Sequence, residues 1–223
     1  MRKSEETGNL KSKSKTQNRV KIMEPIRLVI VAVGGQGNLM ASTVLGEAAL
    51  KAGIEVKMSE IHGMAQRGGV VESALVFGPA ESTIISDGEA DVLLGFEPVE
   101  TLRALKKCNP GTTVITNLSP LPPFTVSIGK GRYPDMEILQ KLIRSKTARL
   151  ISFDAVSLAE AAGNVMAVNM VLLGALIRTG ILPIDVKTVK SALETRTKKA
   201  FLESNMKAFD LGYQAPDRIA TAG

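Results

Sequence analysis

Residues 26–37 read Ile26-Arg27-Leu28-Val29-Ile30-Val31-Ala32-Val33-Gly34-Gly35-Gln36-Gly37. The first eight hold a single charge and are otherwise apolar and mostly β-branched, the pattern of a strand buried on both faces of a parallel sheet. Three glycines then break the strand. A helical pattern follows from Asn38 to Ala52, with Leu39, Thr43, Leu45, Ala49 and Leu50 as its apolar positions. Gly53 stands where a helix end favours a residue tolerant of positive φ. Residues 54–59 alternate as a second strand, so the opening reads as a βαβ unit.

Outward from this unit, residues 61–69 mix glycines with polar groups and read as a loop. Strands are expected over 70–77, 91–95, 112–117 and 149–153, with short ones over 83–86 and 124–128. Helices are expected over 97–107 and 135–145, and then over 155–162, 165–179, 184–194 and 198–212. The fold class implied is α/β: a Rossmann-like, helix-flanked, mostly parallel sheet with an antiparallel edge from residues 70–86 and a helical C-terminal part. Met166, Met170, Leu172 and Leu173 are spaced as core residues of a helix. Ser86-Asp87-Gly88 is read as a turn.

Composition narrows the function. The 223 residues are 44% hydrophobic, enough for one substantial core, and no stretch has the length of a membrane helix or the apolar centre of a signal peptide. A soluble, cytoplasmic protein without membrane contact is expected. The net charge of +6 is uneven: residues 1–22 carry seven basic groups against Glu5 and Glu6, while the remainder carries 21 against 20. Residues 1–22 are therefore expected to be a disordered basic tail ahead of Met23, and 23–223 a nearly neutral single domain. The basic balance thus gives no case for nucleic acid as a partner. Cys108 is the sole cysteine and His62 the sole histidine. One thiol cannot hold an iron–sulfur cluster, and a zinc site would be two ligands short, so no metal is expected on this chain.

Two segments carry candidate chemistry. The turn Gly34, Gly35, Gln36, Gly37 joins a strand to a helix, where backbone N–H groups and the helix dipole favour an anion such as phosphate; equally, the glycines serve a tight turn. A dinucleotide fingerprint would place glycine where Ala32 stands, which demotes a nucleotide, although Glu60 at the end of the second strand has the place of a ribose-binding acid. The loop gathers His62, Gly63, Gln66, Arg67, Gly68 and Gly69. Its guanidinium suits a carboxylate or phosphate, and either group would equally serve a structural partner.

Val33-Gly34-Gly35-Gln36-Gly37, the loop Gly63-Met64-Ala65-Gln66-Arg67-Gly68-Gly69, and the run from Asp87-Gly88-Glu89-Ala90-Asp91 to Gly95-Phe96-Glu97-Pro98 form a specific combination. Gly163-Asn164, Asn169, Leu172-Leu173-Gly174 and residues 205–213 extend it. Together they resemble the gamma-type domain of the pyruvate and 2-oxoacid:ferredoxin oxidoreductase family, and within it the small beta subunit of the indolepyruvate type. Ala32 departs from the glycine usual there. The resemblance implies a heteromer in which a larger partner subunit carries thiamine diphosphate, magnesium and iron–sulfur clusters. That complex would decarboxylate an aryl pyruvate, pass electrons to ferredoxin and release a coenzyme A thioester. This chain would be inactive alone. Gly34, Gly35, Gln36, Gly37, His62, Gly63, Gly68 and Gly69 would line the coenzyme side, with Gln66 and Arg67 in supporting roles at the shared active site. The alternatives are a standalone NAD(P)-binding oxidoreductase and a non-catalytic regulatory module.

Overall fold

The computed structural model describes residues 24–63, 69–122, 126 and 128–221, with backbone alone for 218–221. The basic tail and residues 64–68, which include Gln66, Arg67 and Gly68, lie outside the described residues. Six strands form one sheet in the order β2-β3-β1-β4-β5-β6: β1 (Ile26–Val33), β2 (Val56–His62), β3 (Val70–Phe77), β4 (Ala90–Gly95), β5 (Cys108–Asn117) and β6 (Arg149–Phe153). β1, β4, β5 and β6 are parallel, while β3 is antiparallel to both β1 and β2.

The antiparallel edge is thus present, and its reversed strand is one in from the rim. β2 does not pair with β1, because β3 lies between them, with Val33 opposite Val70 and Ser73 opposite Glu60. The βαβ opening is split by one strand.

Strand alternation sorts the side chains into two buried layers. Leu28, Ile30 and Ala32 of β1 join the core shared with α1 (Asn38–Lys51), α4 (Ala155–Ala161), α5 (Val168–Arg178), α6 (Val186–Arg196) and α7 (Lys199–Thr221). Val29 and Val31 point the other way, to the smaller core under α2 (Pro98–Arg103) and α3 (Met136–Arg144). Each large apolar side chain so buried contributes roughly 1.5–3 kcal/mol. On α1, the buried stripe is Ala41, Val44, Leu45, Ala48 and Ala49, whereas Leu39 and Leu50 are exposed.

Several expected boundaries move. β2 continues through Ile61 and His62, so the loop starts at Gly63; the His62 to Val71 pairing holds a polar edge strand that composition made look like a loop. Residues 83–86 are not a strand. Their backbone finds side chains instead: Lys107 Nζ donates to the Ile85 carbonyl at 2.7 Å, and Ser86 N donates to the Glu89 carboxylate at 2.9 Å. The helix expected over 97–107 is α2 followed by a 3-10 turn over 104–107. β5 begins at Cys108, four residues early, because the Asn109 side chain and the Thr112 hydroxyl bridge the bulge at Pro110-Gly111. Most of the short strand expected over 124–128 lies outside the described residues, and Ile128 sits in a turn.

Gly212, expected to end the last helix, is inside it, and α7 runs on through Pro216. A Cβ on Gly212 would lie 1.9 Å from the Val171 carbonyl oxygen, and one on Gly174 would lie 2.1 Å from that of Phe209. The two glycines bring the backbones of α5 and α7 into direct contact.

Candidate functional site

The four parallel strands end at one rim, where β2 also ends and β3 begins. Chain connections leave β1 and β4 in opposite directions across the sheet, which makes their junction the switch point where open α/β sheets bind ligands. The glycine turn sits there. Gly35 and Gly37 have φ of 103° and 82°, conformations that glycine adopts without strain.

Two of the turn's amides are committed to the fold. Gly34 N donates to the Gly69 carbonyl at 2.8 Å, and Gln36 N to Val33 O at 3.1 Å. The Gln36 side chain accepts from Val33 N at 2.8 Å and donates to Phe96 O at 3.4 Å, so it fastens β1 to the end of β4. Asn169 at the start of α5 donates to the Gly37 carbonyl at 3.2 Å, and a Cβ on Gly37 would fall 2.5 Å from its Nδ2. Gly63 N reaches Val70 O at 2.9 Å. Gly63 and Gly69, the residues on either side of 64–68, are therefore both tied at this rim, Gly69 directly to the glycine turn.

The other strand ends are wired by residues to which the sequence reading assigned no site role. Buried Asn117 donates to Phe96 O and Ser119 O and accepts from Ser119 N and Ala155 N, saturating its amide between β4, β5 and α4. Glu97, 1% exposed, caps α2 through Glu100 N and also accepts from Leu121 N and the Tyr133 hydroxyl. Burial and that hydrogen bond to Glu97 push the Tyr133 phenol up, and burial raises the nearby Glu100 carboxyl against the pull of Arg103. Asp154 caps α4. Burial opposes its charge, but hydrogen bonds from Ser119, Ser157 and Val156 outweigh that and hold its carboxyl below the usual range. The signal available in sequence was a polar residue just past each buried strand.

Between these ends lies a cavity of about 370 Å³, lined by Gly34, Gly35, Gln36, Asn117, Leu121 and Met166 among others. A second, of about 390 Å³, opens on the other side of Met166 among Met40, Asn169, Arg196, Lys198 and Phe201. Met166, expected in the core with Met170, Leu172 and Leu173, is 68% exposed and forms the partition. Leu39, Leu121 and Val165 are also exposed and give the rim an apolar border. Ser86-Asp87-Gly88 forms the expected turn at the opposite end of the sheet, where Asp87 pairs with Lys107. Cys108, also at that end, has its thiol pushed up to about 11 by burial, which makes it a poor nucleophile.

The geometry disfavours a dinucleotide. With β3 interposed, Glu60 stands about 10 Å from β1, two strand spacings instead of one. Its carboxylate already accepts from Ser73 and Ser42. Among the described residues, no group of three His, Cys, Asp or Glu could hold a metal, and no helix is long and apolar enough to cross a membrane.

Residues 27–215, the whole sheet and nearly all of its helices, match the family described as pyruvate ferredoxin/flavodoxin oxidoreductase. The chain belongs to this family. Indolepyruvate oxidoreductase subunit IorB of Pyrococcus horikoshii is 42% identical over 195 residues, which span 86% of this chain and 96% of that relative. The gamma subunit of a keto/oxoacid ferredoxin oxidoreductase from Geobacter sulfurreducens shares the fold, with a TM-score of 0.64 at 22% identity over 86% of this chain and 99% of that one. A 2-oxoglutarate:ferredoxin oxidoreductase from Magnetococcus marinus, solved with 2-oxoglutarate, coenzyme A and succinyl-CoA bound, superposes with a TM-score of 0.66 at 20% identity. It is matched over 88% of this chain and 32% of its own. The same fold thus occurs as a separate subunit in the first of these structures and within a longer chain in the second.

Proposed function

We propose that the chain is the small subunit of an indolepyruvate-type 2-oxoacid:ferredoxin oxidoreductase, and that it acts only with a larger partner. The observation that carries this reading is the 42% identity over 195 residues, which span 96% of an indolepyruvate oxidoreductase subunit. Thiamine diphosphate, magnesium and iron–sulfur clusters belong to the partner; they supply decarboxylation of the aryl pyruvate and electron delivery to ferredoxin. The single cysteine supports that division, because a cluster needs about four thiolates.

This chain's residues supply orientation and water exclusion. The cavity beside Gly34 and Gly35 suits coenzyme A on two counts. Gly35 leaves open space where a Cβ would stand, so a phosphate or pantetheine amide can approach the backbone. Leu121, Val165 and Met166 offer an apolar wall for the rest of the chain-like ligand. Gln66 and Arg67 follow Gly63 in the chain, and an amide and a guanidinium are the groups that would contact a carboxylate or phosphate in the shared centre. The tail 1–22 adds nothing to the reaction, and the complex works in the cytoplasm.

Purification under native conditions is expected to bring down a brown larger subunit with oxoacid- and coenzyme A-dependent activity, while the isolated chain has none. Activity of the isolated chain would overturn the reading. In the complex, Arg67→Ala is expected to lower turnover at least tenfold with assembly retained, checked by steady-state kinetics and gel filtration.

A further inference from the structure

His62 has a partner built for it. Its Nε2 lies 3.4 Å from Glu60 Oε2. Glu60 Oε1 accepts from Ser73 Oγ at 2.8 Å and Ser42 Oγ at 3.4 Å, and Ser73 Oγ accepts in turn from Asn38 Nδ2 at 2.8 Å. Asn38, Ser42 and Ser73 are buried, the Glu60 side chain is 19% exposed and that of His62 is 61% exposed. One carboxylate oxygen is thus moored in the interior by groups from β3 and α1, while the other faces an imidazole in solvent. A chance surface pair lacks such mooring.

The arrangement has a chemical consequence. A carboxylate at Nε2 fixes the tautomer that carries hydrogen there and leaves Nδ1 as the basic nitrogen. A base held by a third group is the recurring device for activating a nucleophile. The placement agrees: His62 is the last residue of β2, opposite Val71, next to Gly63 and on the side of the sheet where α1 starts. The charged group facing it among the described residues is Glu60; β3 presents Val71 and Ser73, and α1 presents Ser42 and Asn38, none of which titrates near neutral pH.

We infer that His62 is a proton acceptor that this subunit lends to the shared centre, that it takes the proton of the thiol co-substrate, and that Glu60 is its positioning residue. The inference rests on the subunit assignment above. In the step, the S–H bond breaks and an N–H bond forms at Nδ1, giving a thiolate and an imidazolium. The proton then passes from the exposed ring to water, and no electrons change hands. A thiol of ordinary pKa, near 8.5, is mostly protonated at neutral pH, so a nearby imidazole raises the reactive fraction.

The test uses the assembled complex with coenzyme A as the thiol. His62→Ala is expected to lower kcat/KM for coenzyme A by about 10²-fold, with part restored by added imidazole, and His62→Gln is expected to behave alike without the rescue. Glu60→Gln is expected to lose about tenfold in kcat/KM for coenzyme A, carried by kcat with KM little changed. Reduction of the complex by the oxoacid alone, which needs no thiol, is expected to fall much less than the thiol-dependent turnover in all three. Unchanged coenzyme A kinetics in His62→Gln, or equal losses with and without the thiol, would overturn the inference. Absence of activity in the wild-type complex would instead sink the subunit assignment.

Discussion

The α5–α7 crossing and the rim of the sheet are both tightly built, but from opposite materials. At the crossing, Gly174 and Gly212 remove side chains altogether so that each helix lies on a carbonyl of the other. At the rim, Gln36, Glu97, Asn117 and Asp154 stand at the ends of the parallel strands, and their side chains satisfy nearby backbone groups. Apolar contact tolerates no added atom, whereas the polar rim tolerates no lost one. This contrast explains why a cavity opens at the rim: polar side chains hold the strand ends in place beside it.

Three changes test that contrast, from the largest expected effect to the smallest. Gly212→Val drives a branched side chain into the Val171 carbonyl and is expected to cost about 3 kcal/mol or more. That corresponds to a fall in Tm of roughly 6–12 °C by calorimetry. A loss under 1 °C would show that the crossing can relax. Asn117→Ala leaves the Ser119 carbonyl and the N–H groups of Ser119 and Ala155 short of a partner and is expected to cost about 2 kcal/mol, with a higher KM for coenzyme A in the complex. A normal KM would detach the rim wiring from the cavity.

The third change concerns charge. Asp154 has its carboxyl lowered on folding, so its contribution is fully present above the unfolded value of about 3.9 and is lost as pH falls through the folded value. Asp154→Asn keeps the cap but not the charge. The Tm gap between wild type and variant is therefore expected to be small at pH 7 and to close below about pH 4. A gap that persists in acid would assign the loss to geometry alone.

Much of the fold could be read from the sequence because apolar periodicity reports it directly. The continuous run from Ile26 to Val33 marked a strand buried on both faces, and burial confirms it. The errors share a physical origin. Gly212 has the same local chemistry whether it ends a helix or sits in a helix crossing, and only the distant Val171 decides between them. His62 looked like loop because an edge strand does not need apolar residues on both faces. At the site, the glycine turn was visible, but Asn117 and Glu97 were not. Their importance lies in partners 21 to 38 residues away, and no spacing rule reaches across such gaps.

The exposed border of Leu39, Leu121, Val165 and Met166 has a consequence for how the molecule is made. A polypeptide that finishes folding before its counterpart arrives presents those greasy residues to its own copies. Surplus chains are then expected to clump, so a balanced supply of the two gene products becomes a requirement of the architecture itself.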